Sequence, residues 1–203
     1  TPLAALALRS VTVGGNELTL RYYRELTVNR TQSIFFVPPI EAIRNSVGFA
    51  LITVVLAVGL GLVSAYTLTR GSGWFSGLLD PLFMLPLATS AVTLGFGYII
   101  VLGKPPLNLR SSPALIPLAH SLVAFPFVVR SVLPALRAIN PRVREAAGVL
   151  GASPWRVWRE IDLPIMTRAM LVGAVFAFTV SMGEFGATVF IARPQMPTIP
   201  VAI

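Results

Sequence analysis

Apolar residues in this chain gather into long unbroken runs rather than amphipathic stripes. A bilayer core about 30 Å thick takes roughly 20 apolar residues as a helix. Four stretches reach that length: 46–68, 78–102, 113–136 and 165–191. The first carries no charge and repeats a small residue at every fourth position, Ala57, Gly61 and Ala65. Such a face lets helix backbones approach closely in lipid. The second has Asp80 at its mouth, with Pro86 and Gly95 inside it. The third holds His120, Pro126 and Arg130, and the fourth sets Gly173, Ala177 and Ser181 on one face with Glu184 within it. Proline and glycine are tolerated inside spans because neighbouring helices satisfy the freed backbone groups. The pattern predicts an all-α, polytopic transmembrane helical bundle of about four full spans.

Ahead of these spans the pattern is mixed. Residues 2–8 are apolar but too short to cross, and read as the trailing end of a preceding span. Residues 11–30 are polar, with Gly14-Gly15-Asn16 as a turn signal and Leu18, Leu20, Tyr22 and Tyr23 as candidate anchors. Phe35-Phe36-Val37-Pro38-Pro39 leads into the membrane, where aromatics suit the interface. The chain thus divides into an external segment, 1–45, and a membrane domain, 46–203. It begins at Thr1, ends at Ile203 in a loop and shows no signal-peptide pattern. It reads as a piece of a longer polypeptide.

Composition sharpens the class. Only 12% of the 203 residues are charged and 55% are hydrophobic, against about a quarter charged in soluble domains. The net charge of +8 raises nucleic-acid binding, but the basic residues are scattered between apolar spans with no aromatic platform among them. Basic loops flanking spans account for them more simply. There is no cysteine and one histidine, His120, which leaves no disulfide framework and no conventional zinc site.

The one long polar stretch inside the domain is 137–164, with Arg137, Arg142, Arg144, Arg156 and Arg159. That density predicts a cytoplasmic loop. Alternation then puts 70–77 inside, and 103–112 and the N-terminal segment outside. Asn140 is a good N-cap and Pro141 a good first helical residue, so one helix runs to Leu150. Gly151 stands where a left-handed residue ends a helix. Ser153 and Pro154 restart a second helix bearing Trp155, Trp158 and Ile161, ending near Leu163-Pro164 where the last span begins. A rigid cytoplasmic helix pair with small residues, Ala146 and Ala147, and an acid, Glu145, is suited to docking in a groove of a soluble partner.

Glu145-Ala146-Ala147, then Gly151, Ile161 and Leu163-Pro164, resembles the EAA loop of ABC importer permeases, seven defined positions at fixed spacing. Residues 85–90 (LPLATS), 124–130 (AFPFVVR) and 183–188 (GEFGAT) resemble the iron(III) and thiamine permease group, whose relatives carry molybdate, sulfate, polyamines or phosphonates. The resemblance implies that 46–203 is an ABC transmembrane type-1 domain lacking its last span. The chain would then be one half of a fused permease or a separate subunit. Loop 137–164 would hold the coupling helix, with Glu145 as its interacting acid and Gly151 as its hinge. It further implies a multi-pass protein of the bacterial cytoplasmic (inner) membrane that is a transport subunit and not an enzyme. Its partners would be an ABC ATPase dimer that binds the ATP and magnesium, a second permease half and an external solute-binding protein.

Other residues carry two readings each. Glu184 is an acid at membrane depth, hence a candidate for the solute path or gate; the plainer reading is an acid hydrogen-bonded to neighbouring helices. Arg130 can snorkel toward the cytoplasmic end of its span. Asp80, before Pro81, suits a helix start, and His120 reads as a packing residue with one hydrogen bond. Gly97 to Lys104 imitates a phosphate loop, but its spacing is one residue too long and Pro105 stands where Ser or Thr is needed. A membrane enzyme built on Glu184, Asp80 and His120 would need all three at one depth, and a secondary transporter would need no ATPase.

Overall fold

The computed structural model describes residues 2–13, 17–25, 39–70, 74–105, 108–109, 112–192 and 196–202. These are almost wholly helical, as hydrocarbon demands of a backbone that must satisfy its own N–H and C=O groups. A short helix α1 (Pro2–Val11), two-residue strands β1 (Thr12–Val13) and β2 (Glu17–Leu18) paired antiparallel with Thr12 opposite Leu18, and α2 (Arg21–Glu25) come first. Helix α3 (Pro39–Arg70) is the first of crossing length, followed by α4 (Trp74–Ala88) and α5 (Ala91–Leu102). Next come α6 (Leu115–Arg137), α7 (Pro141–Val149) and α8 (Pro154–Val157), which passes through a π-helical turn (Trp158–Asp162) into α9 (Leu163–Gly183). Two single turns, α10 (Thr188–Ile191) and α11 (Ile199–Ala202), complete the order.

Helices α3, α6 and α9 pack against one another, with α6 making the most extensive contacts. The small residues singled out from sequence sit at these contacts. A Cβ added to Gly61 would fall 2.6 Å from Val128 Cβ, and one added to Gly173 would fall 3.0 Å from Val128 Cα. Ala57, Ala65 and Ala177 are fully buried beside them. Apolar side chains leaving lipid for protein gain little by transfer, so close van der Waals contact between backbones holds such a bundle together.

Three expectations are corrected. The second span, 78–102, is not one straight crossing. Helices α4 and α5 meet at a 105° bend, so the chain has three helices of crossing length plus this broken pair. Pro86 withholds an N–H from the helix and crowds the carbonyl a turn earlier. Thr89 Oγ1 then takes the carbonyl of Leu85 at 2.7 Å, and Ser90 is extended (φ −60°, ψ 134°). Asp80 consequently lies inside α4 rather than at a helix mouth. The last span stops at Gly183, and Glu184, expected within it, leaves the helix with φ −75° and ψ 104°. Finally, the first span begins earlier than expected, at Pro39. Its start is tied to the C-terminal segment: Ile199 N donates to Ser46 Oγ (2.8 Å) and Asn45 Nδ2 to the Pro197 carbonyl (3.2 Å). The turn expected at Gly14-Gly15-Asn16, the Phe35-Phe36-Val37-Pro38 lead-in and the tip of the 70–77 turn lie outside the described residues.

Candidate functional site

Local chemistry shapes the 137–164 loop closely along the expected lines. Asn140 Oδ1 accepts from Arg142 N at 3.0 Å, and Pro141 sits where no N–H is needed, so α7 starts there. At the other end Gly151 N donates to the Gly148 carbonyl (3.0 Å) and Ala152 N to that of Ala147 (2.9 Å). That bond pair closes a helix through a left-handed residue, and Gly151 has φ +79°. A Cβ there would meet nothing within 4 Å; backbone conformation alone, not crowding, calls for glycine. Ser153 Oγ then accepts from Arg156 N at 3.4 Å and the chain turns into α8.

Glu145 and Ala146 face outward on α7, and Ala147 is half-buried. Two residues missed from the sequence stand out further: Val149 and Leu150 are 89% and 87% exposed at the tip of the turn. Apolar side chains so exposed on a polar loop mark a contact surface. The signal was present as two large apolar residues directly before the capping glycine.

The second helix does not end at Leu163-Pro164. Leu163 N reaches back to the Trp158 carbonyl, widening one turn, and Pro164, which has no N–H to give, passes through the wide turn without breaking the rod. Ile161 and Leu163 are half-buried and Pro164 is exposed. Pro154 to Gly183 is therefore one 30-residue helical body, about 45 Å long. The loop's second helix and the last span form a single lever. Trp155 and Trp158 stack at its base with ring centroids 4.8 Å apart.

The π-helical turn also delivers Asp162, 5% exposed, into a junction that the sequence reading did not anticipate. Arg144 Nε of α7 donates to its Oδ1 at 2.8 Å, and Tyr66 OH of α3 donates to its Oδ2 at 3.2 Å. One carboxylate thus joins α7, the α8–α9 lever and the first span. Charge-assisted bonds of this kind are stronger than neutral ones.

Glu184 lies elsewhere, at the break between α9 and α10. Its Oε1 accepts from Ala187 N at 2.9 Å, folding the carboxylate over its own turn. This break packs on the other one: a Cβ on Gly186 would lie 2.5 Å from Ala91 Cβ, at the start of α5. Beneath it sits His120, buried and bonded through both ring nitrogens rather than the single bond expected. Nδ1 lies 2.8 Å from Ser181 Oγ and Nε2 lies 2.7 Å from Thr188 Oγ1. Thr188 Oγ1 donates onward to the Glu184 carbonyl (2.7 Å), so Nε2 is the donor in its bond to Thr188. Thr53 Oγ1 of α3 lies 3.3 Å from Ser181 Oγ, closing a knot across four helices.

The seven loop residues thus lie on α7, its capping turn and the base of the α8–α9 lever, while Glu184 and His120 gather at the opposite end of α9. Asp80 joins neither group. Among the described residues no three His, Asp or Glu side chains are grouped to hold a metal ion.

A family described as the binding-protein-dependent transport system inner membrane component matches residues 57–201, from the middle of α3 into α11. The molybdenum transport system permease protein ModB of Haemophilus influenzae is 32% identical over 178 residues, 81% of this chain and 78% of that protein. The sulfate transport system permease protein CysT of Escherichia coli K12 is 37% identical over 143 residues, 65% of this chain and 51% of that protein. The chain therefore spans about half the length of CysT.

Proposed function

This chain belongs to the binding-protein-dependent transport system inner membrane components, and on that premise we propose that it is a permease subunit, or one half of a fused permease, of an ATP-driven importer. It sits in the bacterial cytoplasmic membrane beside a second permease half. A separate ATPase dimer binds ATP and magnesium, and an external binding protein delivers the solute. The observation that carries this reading is α7, a capped helix presenting Ala146, Val149 and Leu150 outward while Arg144 and Asp162 fasten it to the spans. Closure of the ATPase dimer pushes α7. The Arg144–Asp162–Tyr66 junction passes the displacement to α3 and to the α8–α9 lever, because a rigid element moves what it is bonded to. The cavity between the permease halves then turns outward. Glu184, at the opposite break, is the acid through which a gate on that side would respond.

The resemblance in sequence points to iron(III) or thiamine as the solute, and the relatives' names to molybdenum or sulfate. Uptake of each by the complete transporter, with its own binding protein, decides among them. The coupling role is tested by Gly151→Val in that complex. We expect uptake to be lost while membrane insertion stays normal; undiminished uptake would remove the loop from the mechanism. Co-purification of an ATPase subunit with the detergent-extracted wild type is expected, and its failure would count equally against the reading.

A further inference from the structure

A cleft of about 460 Å³ opens between α4 and α6, lined by Asp80, Pro81, Met84, Leu85, Ala88 and Arg130. Asp80 Oδ1 is buried without a hydrogen-bond partner. Arg130 is exposed and enters no ion pair among the described residues. The two stand at matched depth. Asp80 is six steps into α4 and Arg130 seven steps before the end of α6, each about 10 Å from the cytoplasmic end of its helix. A charge at that depth is costly against lipid and finds water, a partner or a path instead. Arg130 alone could snorkel out, since its stem is long. Asp80, with one methylene, cannot. It lines the same cleft as Arg130, and a carboxylate held there calls for something polar in the cleft.

We infer that the α4–α6 cleft is a water-filled station on the solute path, with Asp80 and Arg130 as its polar contacts. An acid and a base lining the same cleft leave it without net charge. It can thus accommodate a small hydrated ion of either sign, or a zwitterion, without trapping it, which conduction requires. The remaining lining (Pro81, Met84, Leu85 and Ala88) is apolar and offers such a solute nothing to hold. This inference rests on the permease reading, but its test reads water access rather than transport.

The chain has no cysteine, so single replacements report cleanly. Met84→Cys and Ala88→Cys probe the cleft, and Val175→Cys, on the side of α9 away from α6, is the reference. The complete transporter in inside-out membrane vesicles is treated with a charged, membrane-impermeant methanethiosulfonate. Free thiol is then counted on this chain. Loss of the thiols at 84 and 88, with that at 175 retained, is expected. Cleft cysteines that react no faster than Val175→Cys, or only with a hydrophobic maleimide, would overturn the inference. Two cleft sites guard against one variant misfolding. Inert cleft thiols in a transporter that still takes up solute would sink the station and leave the permease reading standing. Reactive thiols in a chain that never supports ATP-driven uptake would do the reverse.

Discussion

At one end of the bundle, α7 is fastened to the spans by a carboxylate bonded to one guanidinium and one phenol; at the other end, α6 is fastened to α9 and α10 by an imidazole between two hydroxyls. The first junction is charged and lies at the water boundary, where Arg144 keeps 30% of its side chain exposed. Water and salt compete with such a bond, so it can be tight yet exchange partners. The second is sealed, His120 being 1% exposed. No solvent can substitute for a partner lost there. One end of the bundle is suited to receiving a push and the other to keeping register while it arrives.

The sharpest way to break this contrast is at the knot. His120→Ala leaves a cavity and strips Ser181 and Thr188 of a partner, and should cost about 2–5 kcal/mol. Thermal unfolding in detergent would show it, and an unchanged Tm would mean the knot is not structural. Asp162→Ala should cost about 1–3 kcal/mol, below the figure for a sealed pair because Arg144 is partly solvated. It should also leave ATP hydrolysis running while uptake falls, and the exchanged pair Arg144→Asp with Asp162→Arg should recover part of the uptake. A variant that hydrolyses and transports in the wild-type ratio would exclude the junction from coupling. Gly151→Val should cost about 1–2 kcal/mol for a left-handed β-branched residue, with Gly151→Asn milder in both stability and uptake. Equal losses from the two would mean that bulk rather than φ matters. Smallest is Tyr66→Phe, about 0.5–1.5 kcal/mol for one hydrogen bond. It should add to Asp162→Ala by less than its own value, since both remove the same contact; full additivity would separate α3 from the junction.

What could be read from the sequence was what depends on neighbours along the chain. Asn140, Pro141, Gly151 and Ser153 act within a few residues, and their caps stand where expected. The small-residue faces could be read as well, because their four-residue spacing is itself the packing requirement. The misreadings came where two local rules competed. Pro164 looked like a stop, but a π-helical turn absorbs it; Pro86 looked tolerable inside a span, but with Thr89 and Ser90 behind it the helix turns sharply. Asp162 and His120 gave no local signal: Arg144 is 18 positions from Asp162, and Tyr66, Ser181 and Thr188 lie 61 or more positions from the residue each one bonds.

Val128 has both Gly61 and Gly173 against it, at distances where a methyl group would collide at the first and be crowded at the second. Helices meshed this closely cannot slide lengthwise, because every small step would drive a side chain into a backbone. Whatever change of shape the protein undergoes, these three rods must tilt or swivel as one solid piece. The jointed arm made of α4 and α5, gripped less tightly, is left to supply the give.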